Sequence, residues 1–325
     1  MARVFACGDN SFGNVLPNKS DLHLFKPVEL PDVSSIAAAS WSQTIVRKSE
    51  SSLKLQGLAD SSLDLSAARW LGQNSFVAWL RSDGRVESVE GTLSDSTFSH
   101  IAMNGRGELL GVSAASPPTI TFYSSMKSLL TRSPEIPPIA LKSPLLTPPT
   151  SVDSLIAGAS HFLLLLSAPS HAILSYGDNR FSQLGVPSST SSPPSKLHHV
   201  DFFEGLAPKR IAAGAFHSTV VGGDGALYVF GKGSEGQCGG EGGGEPALIE
   251  LGDGEEEVVS VGCGSGHTVV VTDRGVWVTG ANDAGQLGLG DKAPRPSFTR
   301  NEALSSLIGS TSTVTCTPWN TFLNL

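Results

Sequence analysis

"LYVFGKGSEGQCGG", residues Leu227–Gly240, has a counterpart about fifty residues further on in "VWVTGANDAGQLGLG", residues Val276–Gly290. In both stretches a short apolar run is followed by a glycine, a few polar residues and the pair Gly-Gln. Self-similarity at a period of about 20 to 50 residues is typical of repeat proteins. We therefore expect this period, rather than any single motif, to decide the architecture.

A second phrase alternates with the first. It reads "LIAGASHFLLLL" from Leu155, "IAAGAFHSTVV" from Ile211 and "VGCGSGHTVVV" from Val261, and looser copies begin at Ile36, Ala68, Ile101 and Val314. Seven copies of this phrase alternate with seven of the first. The predicted units cover approximately residues 3–51, 52–84, 85–117, 118–170, 171–225, 226–275 and 276–325.

A strand-turn-strand unit of this kind cannot bury both of its faces alone, so neighbouring units must stack. The strand cores Val269–Val271 and Leu163–Leu166 are apolar without alternation, which is expected when both faces are covered. We predict an all-β fold, a single seven-bladed β-propeller over residues 1–325, closed where Arg3–Asp9 meets the chain's last residues. Because a closed ring has no free sheet edge, we expect a monomer.

The repeat also predicts structural positions near the axis and at strand ends. These positions are His161, His217, His267, Gly214, Gly264, Gly231 and Gly280. Only small residues fit where strands crowd toward the axis, and glycine suits the sharp turns that end strands. Ligands contributed one per blade lie too far apart to coordinate one ion at about 2.1 Å, so we predict no metal. We interpret the imidazoles as half-buried groups that hydrogen-bond a neighbouring turn.

Composition narrows the functional class. The chain has 325 residues, of which 39% are hydrophobic and 16% charged, with a net charge of -8. The acidic balance disfavours direct nucleic-acid binding. Four cysteines without a C-x-x-C pair indicate free, mostly buried thiols in a reducing compartment. A strand-like N-terminus without a signal peptide and the absence of a long apolar run predict a cytoplasmic or nuclear protein outside the membrane.

Three stretches carry a resemblance to a known family. "GDNRFSQLG" from Gly177, "AAGAFHS" from Ala212 and "TGANDAGQLGLG" from Thr279 resemble the regulator of chromosome condensation repeat. The resemblance covers the whole chain, strongly in the last three units and weakly in units two to four. It implies a seven-bladed propeller. Two small members of the family are similar to this chain. "VTCTPWNTFLNL" and "AASWSQTIV" are similar to the partner of a JmjC-type oxygenase. The size of the chain is similar to that of the fungal alpha-tubulin suppressor.

The resemblance implies a protein-interaction scaffold without a cofactor. Its partner would be a JmjC oxygenase in chromatin and mitosis regulation, or a small zinc protein in tRNA wobble-uridine modification and diphthamide synthesis. The alternative is guanine-nucleotide exchange on a Ran-type GTPase, the activity of the family's namesake. The sequence has no nucleophile elbow, Walker loop or H-E-x-x-H motif, so we predict that it is not an enzyme. Units two and three are shortened, and the sequence has no basic arm. Both features favour the scaffold over nucleotide exchange.

Two features are candidates for partner binding. The Gly/Glu-rich segment 235–257 has eight acidic residues and no Lys or Arg, which indicates either a solvated loop or an attractive surface for a basic partner. Trp41 and Trp319 share one slot of the repeat, and Trp70 is offset from it; they either anchor a partner or cap the core. The candidate residues are Trp41, Trp70, Trp319, Glu241, Glu245, Glu255, Glu256 and Glu257.

One further segment stands apart by its composition. Residues 113–151 are rich in Pro, Ser and Thr, with eight prolines between Pro117 and Pro149. Such a composition predicts an extended loop that lies over one face of the propeller. The composition is compatible with a short binding motif or a phosphorylation site, and it does not distinguish between them.

Overall fold

The computed structural model describes residues 3–11, 15–16, 23–40, 42–49, 52–57, 69–73, 75–134, 139–140, 151–167, 169, 171–187, 196–240, 242–309 and 311–325. Within these ranges the regular secondary structure is almost entirely β-strand. It adds two short α-helices, α1 Met126–Leu130 and α2 Glu302–Ser305, and one turn of 3-10 helix at Asp201–Phe203. The prediction of an all-β fold is therefore confirmed.

The described residues form 26 strands. In chain order the strands are β1 Val4–Asp9, β2 His23–Glu29, β3 Ser35–Ala39, β4 Gln43–Ser49, β5 Ser52–Gly57, β6 Arg69–Leu71, β7 Ala78–Leu80, β8 Arg85–Ser88, β9 Leu93–Met103, β10 Leu109–Ser113, β11 Thr119–Tyr123, β12 Ile139–Ala140, β13 Val152–Ala157, β14 His161–Leu166, β15 Ile173–Gly177, β16 His198–His199, β17 Arg210–Ala213, β18 His217–Val221, β19 Leu227–Lys232, β20 Gly242–Ile249, β21 Val258–Cys263, β22 His267–Thr272, β23 Val276–Gly280, β24 Arg295–Arg300, β25 Thr313–Cys316 and β26 Asn320–Asn324.

These strands pair into six antiparallel sheets, so the prediction of seven separate blades is wrong for the number of sheets. Three sheets have four strands each: β13–β16, β17–β20 and β21–β24. A fourth four-stranded sheet has the order β2-β1-β26-β25, β3–β5 form a three-stranded sheet, and β6–β12 form one of seven strands. The cause is β9, which pairs with β8 over its first half and with β10 over its second.

The ring closes through its two chain ends. In β1, Val4 pairs with Asn324 and Phe5 with Leu323 of β26, so the first strand completes a sheet begun by the last two. The Asn324 side chain also accepts a hydrogen bond from the Ile36 N–H in β3, at 3.1 Å, and links this sheet to the next. The predicted contact between the chain ends is therefore confirmed.

Apolar clusters lie at each junction between neighbouring sheets. One example joins Leu163 and Leu165 of β14 to Val220 of β18 and Phe230 of β19. A seventh cluster lies inside the seven-stranded sheet, between Leu80 on one side of β9 and Leu109 on the other. Every residue of β14 and of β22 is buried, as expected for strands covered on both faces.

The Pro/Ser/Thr-rich stretch 113–151 contains regular structure. Residues 119–123 form β11, 126–130 form α1 and 139–140 form β12, whereas residues 135–138 and 141–150 lie outside the described residues. Helix α1 begins at a capping box, in which the Ser125 hydroxyl accepts from the Ser128 N–H at 3.2 Å. Within the described ranges, no helix has both the length and the apolar character that crossing a bilayer requires.

Candidate functional site

Each recurring histidine contacts a hydroxyl of the next sheet through its Nε2 atom. The distances are 2.8 Å from His161 to Ser218, 2.9 Å from His217 to Thr268, and 3.2 Å from His267 to Thr321. Each hydroxyl in turn donates to a main-chain carbonyl: Ser218 to Gln183 at 2.8 Å, Thr268 to Gln237 at 2.7 Å, and Thr321 to Gln286 at 2.8 Å. Since a hydroxyl has one proton and gives it to the carbonyl, the imidazole Nε2–H must be the donor to the hydroxyl.

We call this histidine–hydroxyl–carbonyl arrangement the histidine relay. It explains why the two phrases of the repeat occur together, because the Gln of one phrase supplies the carbonyl and the His and the hydroxyl come from the other. Burial lowers the pKa of His161 to about 4, of His217 to about 3 and of His267 to about 4. The imidazoles are therefore neutral near pH 7 and act as single-proton donors between sheets.

The glycines of the repeat make room for the relay. A Cβ on Gly214 would lie 2.1 Å from His217 Cε1 and 2.5 Å from the Gly264 carbonyl oxygen of the next sheet. Gly264 has the same relation to His267, at 2.0 Å. Gly231 and Gly280 have φ angles of 107° and 101°, which side-chain-bearing residues rarely adopt.

The Asn of the first phrase shapes the loop that presents the Gln. Asn179 Oδ1 accepts from the Leu184 N–H at 3.0 Å, and Asn282 Oδ1 accepts from the Leu287 N–H at 2.9 Å. Both side chains therefore satisfy backbone groups of the turn. The loops that bear Gln183, Gln237 and Gln286 lie at the same ends of the strands as the Gly-x-x-His turns, an end of the ring that we call the histidine face. The opposite end, with the β14–β15, β18–β19 and β22–β23 turns, is the hairpin face.

An axial channel of about 710 Å³ runs between the innermost strands of the sheets. Its wall consists mainly of small and aliphatic residues such as Ala157, Ala212 and Gly262, together with the thiols of Cys263 and Cys316. All four cysteines of the chain are free, and burial raises the pKa of the Cys263 thiol to about 12, so it stays protonated. The thiols in the wall therefore act as small apolar groups rather than as nucleophiles.

The structure brings two of the three predicted tryptophans to this channel. Trp70 and Trp319 both line it and are half-buried, whereas Trp41 lies outside the described residues. Trp319 belongs to the β25–β26 turn and so stands at the histidine face. The wall also includes Arg69, the one charged side chain among the described lining residues.

The acidic segment 235–257 does not form a single surface. Glu235 pairs with Lys232 at 2.7 Å on the histidine face. Glu256 lies at the hairpin face, where it accepts from Thr272 Oγ1 at 2.6 Å and from Trp277 Nε1 at 2.8 Å. The two glutamates therefore lie near opposite ends of β22, a six-residue strand about 17 Å in length.

The remaining acidic candidates differ in their exposure and in their ion pairs. Glu245 in β20 and Glu257 are exposed, and Glu241 lies outside the described residues. Glu255 lies 3.8 Å from Arg274, a residue of the neighbouring β22–β23 turn that also pairs with Asp253 at 2.9 Å. The absence of basic residues within the segment is thus offset by one from the adjacent turn.

The described residues contain one group of three side chains with metal-ligating atoms close together. These are His199, Asp201 and Glu204, whose ligand atoms lie within 4.8 Å of one another. His199 Nδ1 lies 2.6 Å from Asp201 Oδ1, and both carboxylates are exposed. The two acidic residues approach His199 through the 3-10 turn that follows β16, so the group has no signal in the sequence.

An aromatic cluster on the histidine face was not predicted from the sequence. Phe181, in the β15–β16 loop, is 39% exposed and packs edge-on against Phe216 of the β17–β18 turn, at 5.4 Å between ring centroids. The Arg180 guanidinium lies over the Phe181 ring at 5.6 Å. One signal for it exists in the sequence, because Phe216 occupies the same slot before the histidine position as Trp41 and Trp319.

An ion-pair network holds the cluster in place. Asp178 accepts from Arg180 Nε at 2.7 Å and lies 3.3 Å from Arg106 Nη2, which belongs to the β9–β10 turn. Ser160 also donates to Asp178, at 3.4 Å. The turns of three neighbouring sheets therefore meet around Phe181: Arg106 comes from the seven-stranded sheet, Ser160 from the β13–β14 turn of the next sheet and Phe216 from the one after it.

Comparisons with known proteins find repeats of one family in the second half of the chain. The family described as "Regulator of chromosome condensation (RCC1) repeat" matches residues 224–271, and a second profile of that repeat matches residues 209–237 and 258–286. RCC1 domain-containing protein 1 from Mus musculus is 25% identical over 98% of this chain and 96% of its own length. Its Homo sapiens counterpart is 30% identical over 55% of this chain and 57% of its own length.

Another relative matches only in part. The X-linked retinitis pigmentosa GTPase regulator homolog from Caenorhabditis elegans is 38% identical over 42% of this chain, and the match spans 10% of that relative's length. Among solved structures, Prp20p from Saccharomyces cerevisiae has a TM-score of 0.71 at 17% identity, over 99% of this chain and 91% of its own. Human WBSCR16 has a TM-score of 0.68 at 17% identity, over 100% and 98%.

The two structural likenesses show the fold, and the profile matches show repeats of this type within residues 209–286. The protein is a β-propeller of the regulator of chromosome condensation type.

Proposed function

We propose that the protein is a non-enzymatic scaffold that binds another protein through its histidine face. The observation that carries the proposal is the exposed pair Phe181 and Arg180, packed on Phe216. Aromatic and arginine side chains dominate the binding energy of protein interfaces when they stand on a well-packed base. A non-polar ring that remains 39% exposed in the free protein has apolar area to bury in a complex.

The rigidity of this surface supports the same proposal. Asp178 fixes Arg180 and Arg106, and Asn179 closes the loop that carries Phe181. A partner then meets side chains whose conformations are already restricted, so binding costs less side-chain entropy. The histidine relay beneath the face locks the sheets that carry these turns.

Structural neighbours of the same fold bind proteins. Prp20p was described together with its binding properties to Gsp1p and histones, and yeast Prp20 was also solved with Kap60 bound. Gsp1p, histones and Kap60 are partners of Prp20 and are not assigned to this chain. For this chain, a JmjC-type oxygenase and a small zinc protein are the two partner classes that we propose to test.

We also propose that the seven-stranded sheet fills two blade positions of the ring. The apolar cluster between Leu80 and Leu109 supports this view, because the other six clusters each lie between two sheets. The propeller would then have seven blade positions in six hydrogen-bonded sheets.

Site-specific photocrosslinking tests the scaffold proposal. A benzoylphenylalanine at position 181 is compared in cell extract with one at Phe202, which is 42% exposed and lies on the hairpin face. We expect position 181, and not position 202, to cross-link a specific protein. With that protein purified, Phe181→Ala should weaken binding at least tenfold and Phe202→Ala should leave it unchanged. Equal cross-linking at both positions, or full affinity of Phe181→Ala, would contradict the proposal.

Guanine-nucleotide exchange is the second candidate function. The observation that favours it is the fold shared with Prp20p, whose binding to Gsp1p has been described. The test is the release of a fluorescent GDP analogue from a Ran-type GTPase at catalytic concentrations of this protein. We expect the spontaneous release rate, and a clear acceleration would replace the scaffold proposal with exchange activity.

A further inference from the structure

The axial channel contains one formal charge in an otherwise neutral wall. Arg69 is the first residue of β6, and the other described residues of the wall are apolar, small or neutral polar. The channel volume of about 710 Å³ lies within the range of small-molecule sites, roughly 300 to 1,000 Å³. A single cation in an apolar channel attracts an anion more strongly than the same cation does in bulk water.

The hydrogen bonds of Arg69 use only part of its guanidinium. Its Nη1 atom donates to the carbonyl oxygens of Ile101, at 3.1 Å, and Leu155, at 3.2 Å, on two neighbouring inner strands. Both Nη1 protons are therefore engaged. Among the described residues, no acceptor meets Nε or Nη2 and no carboxylate pairs with the guanidinium, and neither atom is sealed from solvent.

The unused edge has a specific shape. The Nε–H and one Nη2–H lie parallel, and this fork matches the two oxygens of a carboxylate. Because Nη1 is held by Ile101 and Leu155, the fork is fixed before a ligand arrives. Burial lowers the pKa of Arg69. A guanidinium is not deprotonated in proteins, so the group carries its charge.

We propose that the axial channel binds a carboxylate on an apolar body, with the carboxylate on the Nε/Nη2 edge of Arg69. The apolar body would lie along Trp70 and the small residues of the neighbouring strands, such as Ala157 and Ala212. A phosphate offers the fork similar oxygens, but it has no apolar part to bury against this wall and is more strongly hydrated. The inference goes beyond the scaffold proposal, since the channel site needs neither Phe181 nor Phe216.

The direct test uses hexanoate as the probe, with hexanamide as the uncharged analogue and inorganic phosphate as the alternative anion. Binding is measured by saturation-transfer difference NMR and calorimetry. We expect hexanoate to bind, hexanamide to bind at least tenfold more weakly, and phosphate to bind more weakly than hexanoate. A tripeptide, acetyl-Ala-Ala-Leu with a free carboxylate, is the second carboxylate source. If the tripeptide binds more tightly than hexanoate, the ligand is a protein segment; the reverse indicates a free metabolite.

Two variants and a matched control locate the site. Arg69→Met should lower hexanoate affinity at least tenfold, and Arg69→Lys, which keeps the charge without the fork, several-fold. Arg210→Met is the control, because Arg210 is likewise the first residue of an inner strand, β17, but is not part of the channel wall. Should Arg69→Met fail to fold, Arg69→Lys still tests the fork.

Four results would overturn the inference. They are equal binding of hexanoate and hexanamide, equal or tighter binding of phosphate, unchanged hexanoate affinity in Arg69→Lys, and loss of affinity in Arg210→Met.

Discussion

Two halves of the propeller join their sheets by different means. From β13 to the chain's end, neighbouring sheets are connected by the histidine relay, which repeats with the same atoms at His161, His217 and His267. Between β6 and β13 the relay is absent from the described residues. There the side chains of Arg69 and Gln73 reach from β6 and the turn after it to main-chain carbonyls of β13 and the turn that follows.

The comparison shows that neighbouring sheets of the ring can be joined in two ways. A relay needs a glycine, a histidine and a hydroxyl at fixed spacing, so it leaves a visible repeat in the sequence. A long side chain that bridges two strands needs only one suitable residue and leaves no repeat. The weak sequence repeat of units two to four therefore reflects a change in the way the sheets are joined, with the ring itself preserved.

The largest expected difference between the halves appears on acidification. The three relay histidines have folded-state pKa values of about 4, 3 and 4, against about 6.5 in an unfolded chain. Below pH 6.5 the unfolded state binds more protons, so stability falls as the pH falls toward 4. We expect the free energy of unfolding to drop by about 2 kcal/mol per histidine between pH 7 and pH 5, or about 6 kcal/mol in all.

Urea unfolding at the two pH values measures this drop. His217→Asn is the matched variant, since Asn320 occupies the corresponding position in the last sheet. The variant should lose about a third of the acid-induced drop. If His217→Asn shows the same drop as the wild type, the pKa of the buried imidazole does not differ between the folded and unfolded states.

A methyl group placed inside the relay should have the next largest effect. In Gly214→Ala the new Cβ meets the His217 ring and the Gly264 carbonyl at distances that real atoms do not adopt. We expect a loss of about 3 kcal/mol or more in the free energy of unfolding. Gly240→Ala is the control, because Gly240 is exposed and a methyl group there would have no atom within 4 Å, so its effect should stay within about 0.5 kcal/mol. Similar losses in both variants would remove the steric argument.

The bridged half predicts a smaller effect. Gln73 Nε2 donates to the carbonyls of Ala157, at 3.1 Å, and Gly158, at 2.9 Å. Gln73→Met removes both bonds and should cost about 1 kcal/mol. Gln73→Glu should cost at least as much, because a carboxylate cannot donate to a carbonyl. Wild-type stability in Gln73→Glu would show that the bridge contributes nothing.

The same contrast explains what the sequence could predict. The all-β fold, the closure of the ring and the core strands follow from the repeat, because burial on both faces imposes residue types that can be read directly. The number of sheets could not be predicted from the repeat period. Strand β9 contains no Gly, Pro or Asn to break it, so it continues from one unit into the next, whereas Gly252 and Gly254 interrupt the chain before β21.

The candidate site was harder to predict from the sequence than the fold. Phe216 occupies the same slot of the repeat as Trp319, but it was not singled out from the sequence, and Phe181 lies in a loop with no equivalent aromatic residue. The composition of the acidic segment indicates either a solvated loop or an attractive surface, and it gives no sign that a six-residue strand separates the two ends of the segment. Arg69 has no sequence signal, because its role depends on carbonyls from two other strands.

A double-mutant cycle between His217 and Thr268 tests the histidine relay most directly. The variants are His217→Ala, Thr268→Val and the pair, compared with a cycle of His217→Ala and Thr321→Val, whose hydroxyl belongs to the relay of His267. We predict a coupling energy of about 1 to 2 kcal/mol for the first pair and less than about 0.5 kcal/mol for the second. Equal coupling in the two cycles, or none in the first, would contradict the account.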